Sequence, residues 1–212
     1  MVDAVLIPAI KAALQANELG TASPYCLSFA ELGQSGASFG VFQGDTNESA
    51  TARGVLSQAL TDYGTAAADI ARIMAAVSKP CTATALSAAD TATANAALSS
   101  ETGKALVDGM DAELLQIVLN ELDSSNAAVP AGFSIAPAGQ LYISLWVNMT
   151  GAPKTLNLWL GGTPELALPP PAGPVVSRQD LETYLRANKF FLLHPRNFVH
   201  MSDSVDAGLA VL

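Results

Sequence analysis

Basic residues are scarce in this chain. Ten Lys and Arg stand against nineteen Asp and Glu in 212 residues, which gives a formal net charge of −9 at pH 7. The basic residues are scattered along the sequence, whereas proteins that bind nucleic acid cluster them to neutralise phosphates. We therefore expect no nucleic-acid partner. The same balance gives no electrostatic attraction toward an anionic bacterial wall or membrane surface.

Long apolar runs are also lacking. The longest, such as LYISLWV at 141–147, fall far short of the roughly 20 residues that a membrane-spanning helix needs. The N-terminal segment MVDAVLIPAIKAAL has an acidic start and leads directly into an amphipathic pattern, without a small-residue cleavage site. We expect neither a transmembrane segment nor a secretory signal in this sequence, and no membrane partner.

Cysteine and histidine are rare. Cys26 and Cys81 are too few for a disulfide framework or a four-cysteine zinc site, and they indicate buried free thiols, with a single disulfide as the alternative. His194 and His200 do not share a helical face well and have no evident third ligand. Capping and packing near Arg196 is the preferred interpretation of both. We expect no metal and no cofactor.

Apolar residues make up half of the chain, and only 14% of its residues are charged, which is typical of a compact globular protein. Their spacing predicts a mainly helical α+β fold, in which an N-terminal helix over 3–17 buries one stripe and stops at Gly20. Further helices are predicted at 48–63, 65–78, 87–99, 102–109, 111–124, 137–150, 153–161, 177–193 and 195–209, with Thr65, Ser87, Asp111 and Ser177 at helix starts.

One stretch departs from this helical pattern. YCLSFA at 25–30 and ASFGVF at 37–42 flank the Gly-containing segment ELGQSG, which predicts a β-hairpin. Alternation gives the hairpin a bulky face for the core and a second face that is small and partly polar, as a wall beside a ligand should be. The bulky face holds Tyr25, Leu27, Phe29, Ala37, Phe39 and Val41. The small face holds Cys26, Ser28, Ala30, Ser38, Gly40 and Phe42.

The order of these features resembles the phage-type lysozymes. Glu18 ends the first helix, Glu31 lies at the hairpin tip, and Ser38 lies on the return strand in SFGVFQ. The family has a helix-terminal Glu, a hairpin Asp and a Thr in a strand of the form T-I-G-x-G. Here Glu replaces Asp and Ser replaces Thr, and the longer spacing looks more like the muramidase domain of pesticin-type bacteriocins. The segment at 145–160 resembles paired helices near the cleft of such enzymes.

This resemblance implies a single lysozyme-like domain. Its parts would be a helix and hairpin that form the active-site lobe at 1–47, a helical body at 48–161, a Pro-rich connector at 162–176 and C-terminal helices at 177–212. It also implies a muramidase that cleaves the β-1,4 bond between N-acetylmuramic acid and N-acetylglucosamine. The partner would be peptidoglycan glycan strands, which a monomer would attack in the cell wall after release or export.

The chemistry of glycosidic cleavage suggests roles for three residues. Glu18 would be the general acid, because partial burial and the negative end of its helix both raise a carboxyl pKa. Glu31 would stay ionised and orient water with help from the Ser38 hydroxyl. If the reaction inverts the sugar, the two carboxyl groups should lie roughly 6.5 to 9.5 Å apart, and a separation of about 5 Å would indicate retention.

Five further residues are candidates for binding substrate. Ser28 and Phe42 lie on the small hairpin face, while Gln43 and Asp45 follow it and could either bind sugar or fix the loop. Asn148 lies on an otherwise apolar helix, where a buried amide needs partners. It could hold a cleft loop or touch an N-acetyl group.

Two alternatives stay open. FGVFQ at 39–43 resembles the Gly-rich segment that follows the catalytic Glu in lytic transglycosylases and goose-type lysozymes, in which case Glu31 would be the acid. The second alternative is a catalytically silent relative that binds glycan or serves a structural role. The acidic composition and the replaced Asp and Thr favour it. No Ser/His/Asp order, P-loop or dinucleotide fingerprint is convincing in the sequence.

Overall fold

The structure is a computed structural model that describes residues 2–30 and 34–212. Within this part of the chain, ten α-helices accompany a three-stranded antiparallel sheet and a two-stranded parallel sheet. The predicted mainly helical α+β class is therefore confirmed. Two compact units are present: Glu18–Leu114 forms one, and Met1–Asn17 with Leu115–Leu212 forms the other.

The unit at Glu18–Leu114 contains the three-stranded sheet and the helices that cover it. β1 pairs with β2 and β2 with β3, both antiparallel. α5 begins here and continues into the other unit. The elements are β1 (Ser28–Phe29), β2 (Ala37–Phe39), β3 (Gly44–Asp45), α2 (Ala50–Asp62), α3 (Ala67–Val77), a 3₁₀ turn (Ala83–Ala85), α4 (Ala88–Ser99) and α5 (Glu101–Ala128).

The core of this unit lies between one face of the sheet and α2 to α5. Ala37 and Phe39 are fully buried in it, and Tyr25, Leu27 and Phe29 pack against its edge, so the bulky hairpin face is confirmed for these residues. Val41 and Phe42 do not continue the alternation, because the strand ends at Phe39 and a turn follows it. The helical members of the core include Leu56, Leu60, Ile73, Val77, Ala94, Leu98, Val107 and Met110.

A buried threonine ties the sheet to α3. The Thr46 hydroxyl lies 2.9 Å from the Ala37 carbonyl oxygen and 2.6 Å from that of Val77, the last residue of α3. The Thr46 backbone N–H also donates to the Ala37 carbonyl. Since carbonyls at a helix C-terminus lack partners within the helix, the hydroxyl satisfies a group that would otherwise be buried unpaired.

The other unit is helical apart from one pair of short strands. α6, α8 and α10 pack on one another, and β4 pairs parallel with β5. α1 begins at Leu6, so Val5 is exposed and Pro8 lies in the first turn, as predicted. The elements are α1 (Leu6–Glu18), β4 (Ser134–Ile135), α6 (Pro137–Thr150), α7 (Lys154–Leu160), β5 (Val175–Val176), α8 (Arg178–Ala187), α9 (Lys189–Leu193) and α10 (Pro195–Leu209).

Aromatic rings fill the centre of this helical unit. Phe191 of α9 lies 5.4 Å from Trp146 of α6 and 5.5 Å from Phe198 of α10, measured between ring centroids. Tyr142 stacks on Phe198 at 6.1 Å. These offset and edge contacts are the arrangements that aromatic quadrupoles favour, and they hold α9 against its two neighbours.

A charged group lies beside this core. Glu182 of α8 accepts hydrogen bonds from Arg178 at 2.7 Å and from the Tyr142 hydroxyl at 2.8 Å. Burial favours the neutral carboxyl, but the two hydrogen bonds and the positive charge of Arg178 outweigh it and hold the pKa of Glu182 below its usual range. Burial also raises the pKa of Tyr142 to about 12.

Three predicted boundaries were wrong. The helices predicted at 102–109 and 111–124 are one helix, α5, with Asp111 in its interior. The segment at 177–193 is two helices, because the Asn188 side chain caps α9 by accepting from the Phe190 N–H at 2.9 Å. α3 is capped by Ala66 rather than Thr65. Ser87 and Ser177 do cap α4 and α8 as predicted, the latter with a capping box.

The sequence predicted no membrane-spanning helix and an extended Pro-rich connector at 162–176. Among the described residues, none of the helices combines the length and apolar character that crossing a membrane requires. The Pro-rich segment at 162–176 runs largely without helix, and it is fastened by β5 and by a 2.7 Å hydrogen bond from the Trp159 indole to the Pro169 carbonyl.

Candidate functional site

A row of polar side chains crosses the three-stranded sheet. Ser28 of β1 is aligned with Ser38 of β2, and Ser38 is aligned with Asp45 of β3. Aligned residues in adjacent strands project to the same face, and this face is opposite the one that buries Phe39. All three side chains are half-buried. The structure thus brings together three of the predicted site residues.

Gln43 extends this row at the turn between β2 and β3. Its side-chain oxygen accepts a short hydrogen bond from the Ser28 hydroxyl, and its Nε2 donates to the Gly40 carbonyl at 3.0 Å. Its backbone φ of 51° lies in the left-handed region, which costs a non-glycine residue on the order of 1 kcal/mol. We call Ser28, Ser38, Gln43 and Asp45 the polar row.

Asp45 also organises the backbone around it. One of its carboxylate oxygens accepts from the Gly36 N–H at 2.8 Å and from the Asn47 N–H at 2.7 Å. The loop-fixing role considered for Asp45 is therefore present. Burial, followed by the negative charge of Asp45, raises the pKa of the nearby Cys81 thiol. Cys81 and Cys26 are both free thiols, as predicted, although only Cys81 is buried.

Helices α4 and α5 position the sheet through contacts that the sequence did not reveal. Asp111 accepts from the Val41 N–H at 2.9 Å, and so fixes the turn that carries Gln43. Asn95 of α4 accepts from the Leu27 N–H at 2.8 Å, just before β1. Asn95, an amide within an Ala-rich helix, was an available signal, whereas Asp111 has the acidic neighbours Asp108 and Glu113 and gave none.

Tyr25 is a third anchor between the strands and the helices. Its hydroxyl donates to Asp108 at 2.8 Å, and its carbonyl accepts from the Ser99 hydroxyl at 3.0 Å. The hydrogen bond to Asp108, together with partial burial and the charges of Asp108 and Asp111, raises the pKa of Tyr25. These contacts fix β1 against two helices, so the polar row has a rigid support.

Of the two proposed catalytic carboxylates, only Glu18 lies within the described residues. Glu18 is half-buried at the C-terminal end of α1, and Gly20 turns the chain with a φ of 56°, as the helix-stop prediction requires. Glu31 lies outside the described residues, so its role stays a prediction from sequence.

Two other candidates stand apart from the polar row. Phe42 is only 9% exposed, which leaves its ring little area for contact with a ligand. Asn148 is a half-buried residue of α6 and belongs to the other compact unit. Phe42 is therefore not part of the polar row, and the binding role of Asn148 stays a prediction from sequence.

The histidines have structural positions. His200 Nε2 lies 2.7 Å from the Asn17 carbonyl oxygen in the last turn of α1, and the His194 ring lies 5.1 Å from that of Phe190. This agrees with the predicted capping and packing. Over residues 2–30 and 34–212, no group of three or more His, Cys, Asp or Glu is arranged to hold a metal ion.

The polar row offers hydroxyl, amide and carboxylate groups on a supported, partly open sheet face. Such groups form directional hydrogen bonds to polyhydroxylated ligands, while two fixed carboxylates would add acid–base chemistry. No family model, no curated protein and no solved structure matches this chain.

Proposed function

We propose that this protein is a peptidoglycan hydrolase, a muramidase with a lysozyme-like fold. The observation that carries the proposal is the order of two elements: a helix that ends at Glu18, followed by a small antiparallel sheet whose open face carries the polar row. This is the order that the sequence shares with the phage-type lysozymes. The proposed substrate is the β-1,4 bond between N-acetylmuramic acid and N-acetylglucosamine.

The geometry of the polar row supports glycan binding. Ser38 and Ser28 are adjacent across the strands, and Gln43 holds a strained backbone conformation beside them. Strained residues persist only where the surrounding structure enforces them, and they are frequent at ligand sites. Here the turn is enforced by the Asp111 carboxylate and the Gly40 carbonyl.

In the proposed reaction, Glu18 gives its proton to the glycosidic oxygen as the bond to the anomeric carbon breaks. Glu31 takes a proton from water as the water oxygen bonds to that carbon, and Ser38 orients the water. The products are a glycan with a new reducing end and a leaving sugar with a free hydroxyl. The carboxyl group of Glu18 must be protonated at the start of each cycle.

The experiment is incubation of purified protein with insoluble peptidoglycan, followed by assay of reducing ends and mass spectrometry of the products. Glu18→Gln should lower the rate by on the order of a hundredfold or more, because general acid catalysis supplies about that factor. Glu113→Gln, an exposed change on α5, is the matched control and should retain the rate. Dominant 1,6-anhydro products with a harmless Glu31→Gln would instead identify a lytic transglycosylase.

A second candidate is a glycan-binding module without turnover, and one observation favours it. Groups of the polar row already bond within the protein: Ser28 with Gln43, and Asp45 with two backbone N–H groups. Side chains held by such contacts form a preorganised binding surface, and binding, unlike hydrolysis, needs no second carboxylate beside them. Cosedimentation with peptidoglycan that Ser38→Ala weakens, without release of product, would establish this candidate and exclude the hydrolase.

A further inference from the structure

The segment at 183–202 has a charge that differs from the rest of the chain. It contains three of the ten basic residues, Arg186, Lys189 and Arg196, together with both histidines, and it contains no Asp or Glu. All three basic side chains are exposed. The overall charge of −9 therefore conceals a local positive cluster, even though the basic residues are scattered elsewhere.

Large apolar side chains are exposed within the same segment. Leu192 and Leu193 at the end of α9 are 66% and 65% exposed, and Val199 of α10 is 54% exposed. We call residues 186–200 the α9–α10 corner. Single exposed apolar residues are ordinary, but this short segment exposes three of them together with three basic residues, so it presents both apolar and cationic groups to solvent.

Buried aromatic residues support the α9–α10 corner. A groove of about 250 Å³ is lined by Arg186, Phe191, Leu192, Pro195 and Phe198, so a basic and an exposed apolar side chain border the same groove. The Arg186 guanidinium lies 3.9 Å from the centre of the Phe198 ring. Phe191 of α9 and Phe198 of α10 are buried, so both helices are packed into the core on the side opposite their exposed residues.

We propose that the α9–α10 corner docks on an anionic lipid bilayer surface. Exposed leucines enter the boundary between headgroups and acyl chains, and basic residues beside them attract anionic headgroups, each by roughly fivefold in affinity. A nucleic acid would use the positive charges but gains nothing from Leu192 and Leu193. The proposal concerns peripheral attachment only, and it is independent of the hydrolase proposal. It departs from the sequence expectation of no membrane partner, which rested on the lack of long apolar runs and on the total charge.

The experiment is flotation of the full chain with phosphatidylcholine vesicles that either contain or lack phosphatidylglycerol. The protein should float with the anionic vesicles only, and added salt should weaken its binding. Leu192→Ser combined with Leu193→Ser should weaken binding by about tenfold. Lys189→Glu combined with Arg196→Glu should weaken it by at least about 25-fold, because two attractions of about fivefold each are lost.

Matched controls change equally exposed residues elsewhere in the same compact unit. Ile117 and Leu158 are 56% and 52% exposed, and changing both to Ser should leave binding unaltered. Lys11→Glu with Lys154→Glu is the corresponding charge control, since both lysines are exposed. Circular dichroism of every variant shows whether the fold is retained.

A Leu192→Trp variant adds a direct readout of insertion. Its emission should shift to the blue on anionic vesicles and be quenched by brominated acyl chains, and the same titration of the unmodified chain gives the background of the two native, buried tryptophans. Absence of flotation on anionic vesicles, or equal loss in the control variants, would overturn the proposal. So would vesicle binding that the two serine substitutions leave unaltered and that single-stranded DNA abolishes by competition, because the segment would then act as a charge-only, nucleic-acid-type surface.

Discussion

Gly208→Ala tests the packing of the helical unit, because two physical effects on this substitution have opposite signs. Alanine is favoured over glycine within a helix by up to about 1 kcal/mol, although Gly208 lies in the last turn of α10, where this preference is smaller. A methyl group at Gly208 of α10, however, would lie 2.7 Å from the Ala9 carbonyl oxygen and 3.0 Å from the Ala13 Cβ, both on α1. It would also lie 2.9 Å from Leu141 Cδ1 on α6.

The steric effect should prevail at Gly208. Two of the three close atoms belong to the backbone or Cβ of α1 and cannot rotate away, so the helices must separate. Overpacking of this kind costs about 1 to 3 kcal/mol, and we expect its upper part, which leaves a net loss of about 1 to 2 kcal/mol after the helix preference is subtracted. In a chain of this size that corresponds to a fall in Tm of about 2 to 8 °C.

Gly54→Ala and Gly109→Ala are the matched controls. Both glycines lie inside helices, α2 and α5, and a methyl group at either would meet no atom within 4 Å. Each substitution should raise the free energy of unfolding by about 0.5 to 1 kcal/mol. Thermal and urea unfolding followed by circular dichroism gives the comparison. If Gly208→Ala proves as stabilising as the two controls, the close approach of α10 to α1 is refuted.

Three further outcomes are expected. Thr46→Val should lower the free energy of unfolding by about 1 to 3 kcal/mol, because it leaves the buried Val77 carbonyl unpaired. Thr46→Ser keeps the hydroxyl and should cost less. Equal losses in urea unfolding would contradict this role of the hydroxyl. Glu182→Gln should lower the free energy of unfolding at neutral pH. This difference from the unmodified chain should shrink as the pH falls below about 4, because a carboxyl with a lowered pKa contributes stability only while it is ionised. A difference that stays constant with pH would contradict a stabilising interaction between Glu182 and the Arg178 charge. In a thiol-reagent assay Cys26 should react first, because Cys81 is buried and has a raised pKa; rapid reaction of both thiols in the folded protein would contradict the burial.

Local signals explain what could be predicted about the fold. Ser87 and Ser177 cap their helices through contacts within three residues, so the sequence alone locates those starts. Asp111 has the same chemistry, but its partners are backbone N–H groups about seventy residues earlier in the chain. A reading of neighbouring residues therefore places a helix start where the structure has a helix interior.

In the candidate site, too, local patterns predict some residues, and long-range contacts place the others. Ser28 and Ser38 were identified because strand alternation is visible in the sequence, and their alignment is confirmed. β3 was missed, because two residues carry no alternation and its pairing depends on the turn that Asp111 fixes. That missing strand is what places Asp45 beside Ser38.

Release of reducing ends from purified peptidoglycan, compared between the unmodified chain and Glu18→Gln, tests whether this protein is a muramidase with Glu18 as its acid. We expect steady release by the unmodified chain, a loss on the order of a hundredfold in Glu18→Gln, and an unchanged rate in Glu113→Gln. Release that Glu18→Gln leaves intact would contradict the assignment of the acid. No release by the unmodified chain, with glycan binding retained, would contradict the hydrolase itself.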